Sequence, residues 1–128
     1  MDLNRVTLIG NLSTEPEQKQ LATGRSVTRT NLATNFVWKD RKTGEQKEKV
    51  DFHSIVAWNT IGDRIQKHLK KGDRIYVEGR LDHHSYEKEG VTKYFTDVIA
   101  DKLIMLGKAK REVVAEEPVV TEPVTEPF

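Results

Sequence analysis

The sequence contains no cysteine and no run of about 18 apolar residues, the length that a membrane-spanning helix needs. The absence of cysteine excludes a disulfide framework and a thiolate zinc site. Residues 1–10 lack the basic start and the long apolar stretch of a signal peptide, so we expect a soluble protein of the cytoplasm. A chain of 128 residues is long enough for one domain with a core and too short for two of ordinary size.

The net charge of the whole chain is only +1, but the charges are distributed unevenly. Residues 1–111 carry all 21 Lys and Arg against 15 acids, which gives +6, whereas residues 112–128 carry five glutamates and no base. This asymmetry is typical of a body that binds a polyanion and of a separate acidic appendage. An acidic tail that serves only solubility explains the composition equally well.

Two strands are predicted in the first third of the chain. Residues 4–9 are predicted to form a short strand, and Gly10 with Asn11 predicts a bend after it. Residues 15–24 contain Glu-Pro and Thr-Gly pairs, which indicate an irregular connection. The run over 25–38 is rich in Thr, Val and aromatic residues, but its apolar parity switches from odd to even, so a bulge or coil is expected within it.

A long hairpin and a third strand follow. The charged segment 39–49, with Thr43 and Gly44 near its middle, predicts the turn, and residues 50–58 predict the strand. Four apolar side chains of this strand share one face, namely Val50, Phe52, Val56 and Trp58. The other face is also partly apolar, so one of the two faces must meet something other than solvent.

One helix is predicted between the third and fourth strands. Thr60 opens it, with Asp63 three residues later in the arrangement of a capping box, and Gly72 closes it. Its apolar residues are spaced by four, at Ile61, Ile65 and Leu69. Lys70 and Lys71 lie where they complement the helix dipole, which is their simplest structural role.

The rest of the body predicts a half-buried strand over 74–81, a hairpin around Glu89 and Gly90, and a final strand over 93–99, followed by an apolar cluster at 103–106. Five strands with one helix between the third and the fourth form the layout of the oligonucleotide-binding fold. We therefore predict an all-β fold with one helix, a five-stranded Greek-key barrel with long extended hairpins.

The organisation of the chain is expected to change at residue 111. The barrel is expected to occupy residues 1–111, whereas residues 112–128 lose the strand pattern and repeat Glu-Pro from positions 117, 122 and 126. This composition predicts a disordered acidic tail of partly polyproline type, because proline argues against a stable strand.

Aromatic side chains interleaved with basic ones are the candidate ligand contacts. Single strands of nucleic acid are held by base stacking on aromatic rings, worth about 1–3 kcal/mol per base, and by neutralisation of phosphates by Lys and Arg. Trp38 lies beside Lys39 and Arg41 in a hairpin too polar to bury a tryptophan easily, which favours a ligand contact over a core position. The pattern alone leaves both roles open for three others, Phe52, Trp58 and Tyr86.

Specific motifs run through nearly the whole body. They are NRVTLIGNL at 4–12, EPE at 15–17, LATNFVWKD at 32–40, GE at 44–45, DFHSIVAW at 51–58, LKKGDRIYVEGRL at 69–81 and G-x-x-x-Y-x-T-D-V at 90–98. Together they resemble the bacterial and mitochondrial single-stranded DNA-binding protein family. The resemblance implies an oligonucleotide-binding fold, usually a homotetramer, that coats single-stranded DNA at the nucleoid during replication, recombination and repair.

The resemblance also implies roles for individual residues. The family's base-stacking aromatics fall on Trp38, Phe52, Trp58 and Tyr86, all of which are aromatic here. The candidate phosphate contacts are Arg5, Lys39, Arg41, Lys70, Lys71 and Arg80. His53 falls at a subunit contact of the family. Ser54 stands where the family often has a basic residue, and residues 82–85 stand where it often has further basic residues. Fewer neutralised phosphates predict a shallower salt dependence than that of the more basic members.

The last three residues, Glu126, Pro127 and Phe128, resemble the family's acidic tip, which other genome-maintenance proteins recognise. A terminal carboxylate and a free phenyl ring fit a basic-rimmed apolar pocket. The tail is short and lacks a linker rich in Gly or Gln. Docking of partner proteins is therefore a weaker expectation than DNA binding.

Other functional classes find little support in the sequence. The four histidines, at 53, 68, 83 and 84, form no known ligand pattern, so neither a metal nor another cofactor is expected. No arrangement of Ser, Thr or His suggests a nucleophile and no Gly-rich loop suggests phosphate chemistry, so no enzyme activity is expected. The principal alternative to a single-strand coat is a scaffold that uses the same barrel in a primosome-like replication-restart complex.

Overall fold

The computed structural model describes residues 1–108, so the predicted tail at 112–128 and its tip lie outside the described residues. Residues 1–108 contain six strands and one helix, which confirms the predicted all-β class with one helix. In chain order these elements are β1 (Val6–Leu12), β2 (Glu17–Gln20), β3 (Ser26–Lys39), β4 (Gln46–Trp58), α1 (Asn59–His68), β5 (Arg74–Lys88) and β6 (Val91–Gly107).

Five of the strands close into a barrel. They pair in the order β1-β5-β6-β4-β3, and β3 returns to β1 through the pairs Asn11–Ala33 and Leu12–Leu32. The β4–β6 pairing is parallel, and the other pairings are antiparallel. This is the predicted five-stranded oligonucleotide-binding barrel, and the β3–β4 and β5–β6 pairs form its two long hairpins.

The core lies inside the barrel and under the helix. Its buried side chains are Leu12, Leu32, Ile55, Ala57, Ile65, Leu69, Ile75, Val77, Val98, Ala100 and Leu103. Ile65 and Leu69 come from the helix segment and Ile61 packs against the cluster, so the predicted apolar face of the helix is confirmed. Each fully buried Val, Leu or Ile side chain of such a cluster stabilises the fold by about 1.5–3 kcal/mol relative to exposure.

Gly10 lies inside β1, so the bend predicted at Gly10 and Asn11 is wrong. A Cβ atom on Gly10 would lie 2.2 Å from the carbonyl oxygen of Ala33, because β1 and β3 approach closely where the barrel closes. Asn11 continues the strand and pairs with both Ala33 and Arg74. The glycine therefore serves the close approach of two backbones and not a turn.

The connection predicted to be irregular over 15–24 contains a strand. Glu17–Gln20 forms β2, which runs antiparallel to the start of β3, and the Leu21 N–H donates to the Arg25 carbonyl in the turn between them. The four residues of β2 are all polar. Such a strand carries no apolar alternation from which to predict it.

The bulge expected in the run over 25–38 is absent from the β3–β4 pairing. The register continues without a shift from Val27 to the end of β3. The apolar parity changes because both faces of β3 are buried at its start, where Val27 and Thr28 are 8% and 1% exposed. Phe36 and Trp38 keep the parity of Leu32 but lie on the exposed part of the strand, outside the core. The register shifts occur instead between β5 and β6, at Arg74–Ile75 and at Glu78–Gly79.

The capping box predicted at the helix start is wrong. Asn59 is the first residue of α1, and Trp58 before it makes no side-chain capping hydrogen bond. The carboxylate of Asp63 instead accepts hydrogen bonds from Gln18 of β2 at 2.7 Å and from Ser26 of β3 at 3.3 Å. Asp63 therefore ties the helix to the sheet rather than to its own N-terminus.

The helix also ends earlier than predicted. Its last residue is His68, and Leu69 is already extended. Gly72 lies in the following turn and does not close the helix. Lys70 and Lys71 lie beyond the last helical turn as well, so the dipole role expected of them falls to the basic residues within that turn.

Candidate nucleic-acid interface

The strand register divides the side chains of the sheet into two faces. Paired residues on neighbouring strands lie on the same face, and successive residues along one strand alternate. Phe52, Ser54 and Trp58 of β4 therefore share a face, opposite to the core residues Ile55 and Ala57. We call the face that carries Phe52 and Trp58 the outer face. The Phe52 side chain is 65% exposed, so an aromatic ring stands open to a ligand.

The outer face continues onto β6 and β5. Ser54 pairs with Asp97 across the parallel β4–β6 contact, and the two side chains are hydrogen-bonded. The His84 Nε2 atom lies 2.8 Å from an oxygen of the same carboxylate. Tyr86 follows two residues further along β5 and so lies on the same face. Three of the four predicted base-stacking aromatics thus share the outer face, namely Phe52, Trp58 and Tyr86.

Tyr86 belongs to a series of three stacked rings. Its ring centroid lies 5.2 Å from that of Phe95, with the planes inclined by 8°. Phe95 also stacks with His84, at 5.5 Å and 22°. Phe95 was not among the predicted residues, although the predicted turn at 89–90 sets a register in which Phe95 lies opposite His84. This register, which follows from the turn, is the feature of the sequence from which the place of Phe95 beside His84 could be predicted.

Asp97 is an almost buried carboxylate at the base of this series, with 6% exposure. Arg29 Nη1 lies 3.7 Å from the oxygen that contacts His84. Burial raises the pKa of Asp97, but the hydrogen bonds with His84 and Ser54 and the positive charge of Arg29 outweigh burial and hold that pKa below its ordinary value. Asp97 therefore stays ionised and orders the polar groups around it.

The substitution Asp97→Asn is expected to destabilise the protein near neutral pH and to matter less in acid. A carboxyl group whose pKa is lowered by folding stabilises the native state above the ordinary aspartate pKa of about 3.9, and this contribution disappears as the pH falls through the lower native value. Urea unfolding of both proteins at about pH 7 and about pH 3 measures the effect. An equal difference in unfolding free energy at the two pH values would contradict it.

Trp38, the fourth predicted aromatic residue, lies on the opposite face of the β3–β4 hairpin. It pairs with Lys47, whereas Phe52 pairs with Ala33, and these two pairs have opposite parity. The Trp38 ring stacks with that of Phe36 at 5.6 Å, and both side chains are exposed. Within one copy of the chain, the structure therefore does not bring Trp38 together with the other three aromatics.

One face of the Trp58 ring is covered by a basic side chain. The guanidinium carbon of Arg25 lies 4.4 Å from the ring centroid, which is a cation–π contact. Arg25 was not predicted as a phosphate contact, although it lies two residues before Val27, the partner of Trp58. An exposed basic side chain beside an aromatic ring supplies the two groups that bind a single strand, a positive charge for the phosphates and a ring on which a nucleobase stacks.

Three of the predicted phosphate contacts lie on the hairpins or the outer face. Arg80 shares its face of β5 with Tyr86, because both residues are even-numbered in one continuous strand. Lys39 ends β3, and Arg41 lies in the turn of the β3–β4 hairpin. All three are exposed, so their charges are accessible to a phosphate backbone.

The other three predicted phosphate contacts lie outside the two long hairpins. Lys70 and Lys71 occupy the turn between α1 and β5, at the start of the strand whose far part carries Tyr86. Arg5 forms an ion pair with Glu78. The structure does not bring these three basic side chains together with the stacked rings of His84, Phe95 and Tyr86.

His53, the predicted subunit contact, lies on the face of β4 opposite to Phe52. It pairs with Leu32, and its Nε2 atom lies 2.9 Å from the Thr34 hydroxyl. The side chain is half-buried within a single chain.

Residues 1–108 contain neither a metal-ligand cluster nor a membrane-spanning helix. No group of three or more His, Asp or Glu side chains in this part of the chain is placed to hold a metal ion. The helix within the same residues is too short and too polar to cross a bilayer.

The barrel and its aromatic outer face define a protein of the oligonucleotide-binding class. The model of the single-strand binding protein family matches residues 3–106. The chain belongs to this family, which confirms the resemblance seen in the sequence. The family consists of DNA-binding proteins that are not enzymes, in agreement with the expected lack of enzyme activity.

Named relatives agree with this assignment. The chain is 39% identical over 106 residues to the single-stranded DNA-binding protein of Xanthomonas campestris. It is 41% identical over 107 residues to single-stranded DNA-binding protein 1 of Chlorobaculum tepidum. Each alignment covers 82% of this chain, but only 61% and 65% of the respective relatives. The chain thus spans less than two thirds of their length.

Solved structures show the same fold. The single-stranded DNA-binding protein of Plasmodium falciparum in complex with single-stranded DNA superposes with a TM-score of 0.77 at 40% identity, over 83% of this chain and 96% of that one. A deletion mutant of the Thermus aquaticus single-stranded DNA-binding protein gives a TM-score of 0.73 at 30% identity, over 85% of this chain and 53% of that one.

Proposed function

We propose that the chain binds single-stranded DNA with little sequence preference. Bases stack on the exposed aromatic rings while neighbouring Lys and Arg side chains neutralise phosphates, and both interactions tolerate any sequence. The observation that carries the proposal is the outer face, where Phe52 is 65% and Tyr86 is 47% exposed on one surface that also carries Arg80. A structural neighbour solved with single-stranded DNA supports the same assignment.

The position of Trp38 constrains the path of the DNA. Trp38 and Phe52 lie on opposite faces of one two-stranded hairpin. A strand that stacks on both must pass around the edge of that hairpin, or else meet Trp38 on a second copy of the chain. Wrapping of the DNA around the hairpin or between copies is therefore part of the proposal.

Titration of the full-length chain with oligothymidine, followed by tryptophan fluorescence at low and high salt, tests the proposal. Trp38 and Trp58 are the only tryptophans, so stacking on either predicts strong quenching. The logarithm of the affinity is expected to fall with the logarithm of salt by about 0.7 per neutralised phosphate. Because Ser54 stands where the family often has a basic residue, we expect a shallower slope than in the more basic members of the family. A chain that shows neither quenching nor binding would overturn the proposal in favour of a scaffold role.

In the cell, we propose that this binding protects single strands during DNA replication, recombination and repair, in the cytoplasm at the nucleoid. We also propose that residues 112–128 recruit genome-maintenance proteins through Glu126, Pro127 and Phe128. Family membership supports the first role. The second is supported by the charge of residues 112–128, which contain five glutamates and no basic residue and so suit a pocket with a basic rim. Deletion of residues 126–128 is expected to abolish capture of such partners and to leave oligothymidine binding intact.

We further propose that copies of the chain assemble into a homotetramer, with His53 at a subunit contact. Besides the resemblance, a row of apolar side chains supports assembly. Ile9, Tyr76 and Ile104 are paired across β1, β5 and β6 on the side opposite to the core. Ile9 and Ile104 are 46% and 44% exposed, and contiguous exposed apolar surface marks protein interfaces.

The substitution Ile104→Arg is expected to shift the assembly toward monomer, because it places a charge within this apolar row. Sedimentation equilibrium of the wild type and the variant measures the change in mass. Val91→Arg is the matched control, since Val91 is also an exposed apolar residue of β6 but lies beside the hairpin turn. A monomeric wild type at micromolar concentration, or a variant of unchanged mass, would contradict the proposal.

A further inference from the structure

The ring of Phe95 lies between two other rings on the outer face. It stacks with Tyr86 at 5.2 Å and with His84 at 5.5 Å, and both pairs are close to parallel. We propose that Phe95 is a positioning residue that holds the Tyr86 ring in the orientation in which a nucleobase stacks on it. This inference rests on the proposed binding of single-stranded DNA and deepens it.

The three rings need support because they lie on the distal part of the β5–β6 hairpin. Residues 81–96 are exposed throughout, so the hydrophobic core does not fix the side chains of this segment. Phe95 lies directly opposite His84 in the ladder, and Tyr86 lies diagonally from it. A ring at this position therefore touches both neighbours on β5, which a smaller side chain would not reach.

The series is anchored to the barrel at its other end. The His84 Nε2 atom lies 2.8 Å from the Asp97 carboxylate, which is almost buried. Asp97 is in turn hydrogen-bonded to Ser54 of β4 and lies 3.7 Å from Arg29 of β3. Contacts thus run without interruption from two barrel strands through His84 and Phe95 to Tyr86.

Orientation of the ring before binding affects affinity. A tyrosine on an exposed hairpin samples several rotamers, and ordering it when a base arrives opposes binding. A ring that is already stacked on Phe95 has lost most of that freedom before the DNA arrives. From the usual cost of ordering one side chain at an interface, removal of the Phe95 ring is expected to weaken binding about 3- to 10-fold.

The substitution Phe95→Thr tests the proposal by titration with oligothymidine, because threonine removes the ring and keeps a residue that favours strands. Phe95→Leu tests it independently, since leucine keeps an apolar side chain at the position and lacks only the ring. Phe95→Tyr restores a ring and is expected to bind as the wild type does. Tyr94→Thr is the matched control, because Tyr94 is 80% exposed on the opposite face of the same strand.

The decisive measurement is a double-mutant cycle with Tyr86→Ala. If Phe95 acts through Tyr86, Phe95→Thr and Phe95→Leu weaken binding about 3- to 10-fold in the wild type and cause no further loss in the Tyr86→Ala background. Wild-type affinity in both Phe95 variants would overturn the proposal. So would a loss that persists in the Tyr86→Ala background, because Phe95 would then contact DNA itself or act on the fold. A wild type that binds no oligothymidine would instead refute the proposed function.

Discussion

Replacing both Phe52 and Tyr86 with alanine is expected to weaken oligothymidine binding by about 2–6 kcal/mol, which corresponds to roughly 30-fold to 20,000-fold in affinity. Each ring is expected to stack with a separate base, and one stacked base contributes about 1–3 kcal/mol. The two residues lie on β4 and β5 with β6 between them, and neither shares a ring contact with the other. Their contributions are therefore expected to be nearly additive.

The fold is expected to tolerate this double substitution. Phe52 and Tyr86 are exposed and lie outside the core cluster, so their removal leaves no cavity. Tyr94→Ala is the control, because it removes an aromatic ring of similar size, which is also exposed, from the opposite face of the β5–β6 hairpin. Equilibrium titration of the three proteins in one low-salt buffer gives the comparison. A double variant within a factor of about two of the wild type would place DNA binding elsewhere on the molecule.

The exposure of Trp38 could be predicted from the sequence, but the division of the aromatic residues between two faces could not. Trp38, Phe52 and Tyr86 stand in charged or alternating segments, which is a local property. Whether Trp38 shares a face with Phe52 depends on the register across the β3–β4 turn. A slip of one residue there exchanges every side chain between the faces, and a turn predicted only approximately does not fix the register.

The errors at Gly10 and Asp63 have a common physical cause. Gly-Asn pairs favour turns and an acid three residues into a helix favours a capping box, so local propensity supported both predictions. In the folded chain, Gly10 meets the Ala33 carbonyl and Asp63 meets side chains of β2 and β3. Partners that distant in sequence are brought close only by barrel closure, and local patterns carry no information about them.

Gly79→Ala is expected to destabilise the protein by about 3 kcal/mol or more, at the upper end of what overpacking causes. A Cβ atom at this position would lie 1.9 Å from the carbonyl oxygen of Ile99 and 3.1 Å from the Cα atom of Ala100. Both atoms belong to the backbone of β6, so no side chain can rotate away to make room. Gly79 also pairs with Val6, which places it between two strands of the barrel. Relief of the clash would therefore require the β5–β6 pairing to open beside its register shift.

Gly107→Ala separates this clash from the general effect of replacing glycine. Within residues 1–108, nothing lies within 4 Å of a Cβ atom at Gly107, which is also in β6. An alanine there restricts the unfolded chain and is expected to leave stability unchanged or to raise it by about 0.4–1 kcal/mol. Thermal unfolding at matched protein concentration is expected to show a melting temperature lowered by roughly 10 °C or more for Gly79→Ala alone. Similar melting temperatures for the two variants would mean that β6 moves away from Gly79 at little cost, and the tight approach of the two strands would then not be needed for closure of the barrel.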